Sequence, residues 1–110
     1  MTPTQIKRAK RLAEILGITD LEERDERLLH MDSDGLHSII PVGEFNPEQD
    51  KALLWDLMVD NGLSLFNYSD DSYGIEWKEI NQIYHTVCTK DEIPQTLIDC
   101  VIEINGGYDD

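Results

Sequence analysis

Basic residues are scarce after position 27: Lys51, Lys78 and Lys90 stand against 17 carboxylates over the remaining 83 residues. The first 27 residues balance six basic against six acidic groups, so the whole formal charge of −14 arises after them. A surface of that sign repels phosphate backbones and anionic membranes, whose binding depends on Lys and Arg displacing counterions. Direct nucleic-acid and membrane binding are therefore not expected. Cysteine is also rare. Cys88 and Cys100 stand alone, without the spacing of a secreted disulfide scaffold, which points to a reducing cytoplasm. No apolar run approaches the roughly 20 residues that span a bilayer, and the basic start lacks the apolar core of a signal peptide. What is present is 40% hydrophobic residues spread along 110 positions, enough for one small domain over residues 1–110 with a modest core.

The chain opens on Thr2-Pro3-Thr4-Gln5, a capping hydroxyl, a proline at the first helical position and a capping-box Gln. Ile6, Ala9, Leu12, Ala13 and Leu16 then recur at helical spacing, with Lys7, Lys10 and Arg11 on the opposite face and Gly17 as the stop. Such a helix is expected to dock by its apolar side and cover one face of a sheet. Thr19-Asp20-Leu21-Glu22 repeats the capping pattern before a charged stretch with a thin stripe of Leu21, Leu28 and Leu29, which reads as a short helix closing an N-terminal helical segment near residue 30. A polar turn follows at Met31-Asp32-Ser33-Asp34-Gly35, then a strand over residues 36–42. Asn46-Pro47-Glu48-Gln49 reads as the next helix start, with Leu53, Leu54, Leu57 and Met58 buried, Trp55 at the edge and Asn61-Gly62 as the stop. Residues 63–68 and 73–80 are strand-like and joined by the hairpin composition Ser69-Asp70-Asp71-Ser72. A third strand is expected over residues 81–88, and a helix over residues 93–105 tolerates Pro94 in its first turn. The strands carry apolar residues on both sides, Leu63 and Leu65 against Phe66 and Tyr68, so both faces are expected to be covered. The fold class is α+β, a small antiparallel sheet packed between helices over residues 36–105, preceded by the helical segment.

Asn46-Pro47 with Asp50, a helix carrying Trp55 and Met58, Gly62-Leu63-Ser64-Leu65 leading into Tyr68-Ser69-Asp70, then Tyr73 and Trp77, and Glu92-Ile93-Pro94 before Ile98 and Cys100 form a recognisable series. Over residues 45–104 it resembles the phage ABA-sandwich domain family, found in uncharacterised proteins of bacteriophages and prophages. The resemblance implies an α-β-α sandwich, a phage or prophage origin and hence a location in the host cytoplasm; it brings no catalytic residues. A longer connection between Trp77 and Glu92, and Asp99, Val101 and Glu103 in place of alanines, depart from the family pattern.

Motifs that carry chemistry are few. Asp32-Ser33-Asp34-Gly35 begins like a calcium loop, but Leu36, His37 and Ile39 break the ligand pattern and turn composition explains it better. His85, Cys88 and Cys100 lack a paired Cys-x-x-Cys for zinc, and Cys100 falls on an apolar helical stripe. A Cys88 nucleophile with His85 or His30 as base has no local signature. No phosphate loop, nucleophile elbow or peptidase motif occurs. Neither an enzyme nor a cofactor or metal is expected.

Binding is the remaining class. Glu48, Asp56, Asp60, Asp70, Asp71, Glu76 and Glu79 are expected to present a carboxylate array spaced somewhat like phosphates, with Trp55 as an aromatic anchor beside it; Trp77 is assigned to the core. The expected partner is a basic host protein, a nucleic-acid-binding defence effector inhibited as an anti-CRISPR protein inhibits, by a monomer or homodimer of this chain. Two alternatives stand beside it: a phage accessory or assembly protein whose acidity serves only solubility, and a small-molecule sponge.

Overall fold

The first helix forms as its caps dictate. In the computed structural model, which describes residues 1–33 and 39–108, α1 (Pro3–Leu16) starts on the reciprocal Thr2–Gln5 capping box and ends at Gly17, whose φ of +76° suits glycine. Ile6, Ala9, Leu12 and Ala13 are buried as their spacing requires, while Leu16 is exposed. Arg8 is buried as well, which the helical pattern gave no reason to expect.

The charged stretch after α1 corrects the sequence reading. It is a β-hairpin, β1 (Leu21–Arg24) and β2 (Arg27–Ser33), paired antiparallel with Arg24 opposite Arg27. Asp25 and Glu26 turn the chain with φ of +49° and +61°, the left-handed pair whose twist matches flanking strands. Side-chain chemistry follows strand spacing: Arg24 Nε and Nη2 donate to both carboxylate oxygens of Glu22 at 2.8 and 3.1 Å. Residues two apart share a face in a strand and do not in a helix. β3 (Ile39–Glu44) pairs antiparallel with β2, so the strand assigned to the sandwich core belongs with the hairpin instead. The start of that expected strand, residues 36–38, and the end of the expected calcium-like turn lie outside the described residues. Leu28 joins Ile6 and Ala9 in a buried cluster edged by Met1 and Phe45, which places the apolar side of α1 on this hairpin. Lys10 reaches across to Glu23 of β1 at 2.6 Å, drawing part of the basic face of α1 into ion pairing.

The chain divides into two compact units, Met1–Asn46 and Pro47–Asp110. The second begins with a 3-10 turn, Pro47–Gln49, and α2 (Lys51–Asp60) starts only after it. Asp50, and not Asn46, caps this helix by accepting from Leu53 N at 3.1 Å. Proline sets φ for a first turn, but the tighter turn closes and the carboxylate restarts the helix three residues on. Three antiparallel strands follow, β4 (Ser64–Ser69), β5 (Ser72–Glu79) and β6 (Gln82–Cys88), in that spatial order. A second 3-10 turn, Lys90–Glu92, leads into α3 (Ile93–Ile104). Thr89 and Glu92 form a capping box there, and the bonds from Thr89 hold the Glu92 carboxyl below its usual range. α3 packs on α2 and on β5, burying Leu97, Ile98, Cys100, Val101 and Ile102.

The chain is thus α+β with an N-terminal helix, as the sequence implies, but the helical segment expected to run to residue 30 is α1 alone. Among the described residues its strands are shared between two three-stranded sheets rather than one. The inner face of the second sheet buries Ile75 and Trp77. The expectation that both faces are covered is not met, because β4 is exposed along its whole length.

Candidate functional site: the exposed surface of the C-terminal unit

Pro47–Asp110 holds 14 acidic and three basic residues, a net charge of −11. The expected binding residues all lie on it but do not form one cluster. Trp55, Asp56 and Asp60 stand on one exposed side of α2 together with Val59. Trp55 with Val59 and Asp56 with Asp60 are both four apart, so each pair meets on the helix surface. Trp55 is 62% and Val59 58% exposed. Glu48 sits in the preceding 3-10 turn. Asp70 and Asp71 form the two-residue turn between β4 and β5, and Glu79 ends β5. Eight residues at about 3.3 Å each put Glu79 roughly 26 Å from that turn. Glu76 faces the outer side of the sheet opposite Ser64 and His85.

One of these carboxylates has a folding role. Asp71 Oδ1 accepts from Lys90 N at 3.1 Å, tying the β4–β5 turn to the 3-10 turn before α3, 19 residues away. Asp71→Ala is therefore expected to cost about 1 kcal/mol, whereas Asp70→Ala should stay within about 0.5 kcal/mol of the parent. Urea unfolding of the two single variants checks this. Equal stabilities would mean that the bond adds nothing.

The outer sheet face carries apolar residues that the sequence reading assigned to burial. The register aligns Phe66, Gly74 and Val87 across the three strands, with Glu76 and His85 in the next row. The pairing shifts between Asn67 and Ser69, and the ring of Tyr68 lies over Gly74. A Cβ on Gly74 would come within 2.5 Å of Tyr68 Cε2 and 2.8 Å of His85 Nε2, so glycine admits the Tyr68 ring to the sheet surface. There Tyr68 Oη and His85 Nε2 hydrogen-bond at 2.5 Å, and their rings meet edge-on at 5.8 Å. Phe66, Tyr68, Ile83 and Val87 remain exposed, and Ile80 projects from the β5–β6 turn at 94% exposure. An isoleucine at that position buries almost nothing for folding.

On the inner side, Trp77 stacks on Tyr84 with centroids 5.4 Å apart, confirming its place in the core. Its Nε1 is buried with no hydrogen-bond partner among the described residues. A groove between β6 and α3 is lined by Trp77, Thr86, Cys88, Thr96, Asp99 and Cys100. Both thiols are free and buried. Burial, reinforced by the nearby Asp99, pushes the Cys100 thiol up to about 12. That is the opposite of an activated nucleophile. Among the described residues no group of three or more His, Cys, Asp or Glu could hold a metal ion, and no helix is long and apolar enough to cross a membrane.

No family model matches the chain, and no curated protein or solved structure matches it.

Proposed function

We propose that the protein is a small acidic binding protein that occupies a basic, nucleic-acid-binding surface of a partner protein by charge mimicry. The observation that carries this reading is the net charge of −11 on a 64-residue unit whose surface also displays Trp55, Val59, Phe66 and Tyr68. Carboxylates of one sign steer a basic partner and speed encounter, while exposed aromatic and aliphatic groups supply the desolvated contacts that hold it. The resemblance to a phage family suggests a host defence effector as that partner and the host cytoplasm as the compartment, with the chain acting as a stoichiometric inhibitor of the anti-CRISPR kind.

The test is competition. The protein is used to capture partners from nuclease-treated host lysate, and the captured protein is then bound to a fluorescent duplex oligonucleotide. Titrating in this chain should displace the duplex at one-to-one stoichiometry, at least tenfold less effectively when salt rises from 50 to 200 mM. The triple variant Asp56→Lys, Asp60→Lys, Asp70→Lys should lose at least tenfold in apparent affinity while remaining folded. A ternary complex of duplex, partner and this chain, or undiminished binding by the variant, defeats charge mimicry; retention of the chain on purified phage particles in place of a soluble complex supports the accessory role instead.

A further inference from the structure

We infer that the free edge of β4 is where the partner docks, by adding an extended segment as a fourth strand of the C-terminal sheet, and that this segment has an apolar centre and basic ends. β4 pairs only with β5, so one side of its backbone presents donors and acceptors with no strand beside them among the described residues. An unpaired edge is a template for another strand. Folded proteins blunt such edges with charge, proline or brevity, and the other sheet does so. Its edges are β1, four residues of which three are charged, and β3, which contains Pro41. β4 has neither device: Ser64-Leu65-Phe66-Asn67-Tyr68-Ser69 carries no charge in a chain of net −14, and all six residues are exposed. Leu65 lies on the inner-face register of Ile75 and Phe66 on the outer-face register of Gly74, so alternate side chains of an added strand would find an apolar neighbour on each face.

The charge around the edge decides the occupant. Asp60 ends α2 four residues before β4, and Asp70 and Asp71 turn the chain directly after it, so acidic residues flank the edge strand on both sides in sequence and its centre is apolar. A second copy pairing antiparallel through β4 would bring the Asp70–Asp71 end of one chain against the Asp60 end of the other, like charge facing like charge. A segment with Lys or Arg at both ends meets the opposite sign at each. This inference rests on the basic-partner reading and adds the element that partner would use.

Two synthetic peptides test it on the isotope-labelled full chain. Both have a centre of five alternating valines and threonines, one with two lysines at each end and the other with two glutamates. The lysine-ended peptide is expected to slow amide hydrogen exchange at least tenfold at alternate residues of Ser64–Ser69, with Gln82–Cys88 unchanged. The glutamate-ended peptide should leave exchange on both strands unchanged. Leu65→Lys, a substitution at an exposed position, should abolish the protection while the circular dichroism spectrum stays that of the parent. Equal protection by both peptides, protection on β6 in place of β4, or a concentration-dependent dimer of the free chain with β4 amides protected would overturn the inference. Shifts confined to Asp56, Asp60 and Asp70 with the lysine-ended peptide would overturn edge docking while leaving the basic-partner reading in place. Edge protection by that peptide together with failure of the duplex competition would do the reverse.

Discussion

Ile98→Ala is expected to lower the stability of the C-terminal unit by about 3–4 kcal/mol. Ile98 has no exposed surface and sits on α3, the helix that packs on both α2 and β5. Removing three carbons there forfeits their burial and leaves a cavity that flanking elements close only in part. A unit of 64 residues has only a few kcal/mol of net stability to lose, so much of the population should unfold near 37 °C. The outer face supplies the contrast: Val87→Ala, at a position 57% exposed, should change stability by less than about 0.5 kcal/mol. Denaturant midpoints followed by Trp77 fluorescence measure both, because that indole lies on the face α3 covers. Equal losses at the two positions would mean that the outer face is packed and unavailable to a partner.

Cys100 is expected to react with iodoacetamide at pH 8 about a thousandfold more slowly than an unhindered cysteine, because alkylation proceeds through the thiolate and its population falls with a raised pKa. Burial is the chief cause, and the negative charges of Asp99 and Glu103 and the neighbouring Cys88 thiol add to it. Unfolding in urea should restore ordinary reactivity, and mass spectrometry of the labelled peptide reports both rates. The same shift has a consequence for stability. The folded-state value of about 12 lies above the ordinary 9.0, so the unfolded chain releases this proton first as pH rises. The contribution is complete below pH 9 and is lost progressively from there towards pH 12. Cys100→Ala should flatten that part of the alkaline stability profile. Fast labelling in the native state would place the thiol in solvent and end this account.

Several elements were legible because their signals are local. Thr2 to Gln5 and Gly17 cap α1 as their types require, the Ser69-Asp70-Asp71-Ser72 composition turns β4 into β5, and the missing donor of Pro94 falls harmlessly in the first turn of α3. The hairpin at Leu21–Ser33 was not legible. Its turn is Asp-Glu rather than Asn-Gly, and Thr19-Asp20-Leu21-Glu22 imitates a helix cap; only pairing with β3 and the burial of Leu28 under α1 select strands. Propensity over so short a span is weaker than such tertiary contacts.

For the candidate site, composition alone determined the sign and amount of charge, where along the chain it falls, and the classes of partner it disfavours, since these are sums over residues. Which apolar residues are buried was decided only by the tertiary structure. Leu65, Phe66 and Tyr68 have the composition of a covered strand, yet α3 covers one face of a three-stranded sheet and β4 lies at its edge. The close approach of Tyr68 and His85 over Gly74 joins residues from three strands and exists only in their register. Hydrophobic periodicity says which side chains share a face; whether another element covers that face depends on the order in which strands and helices pack.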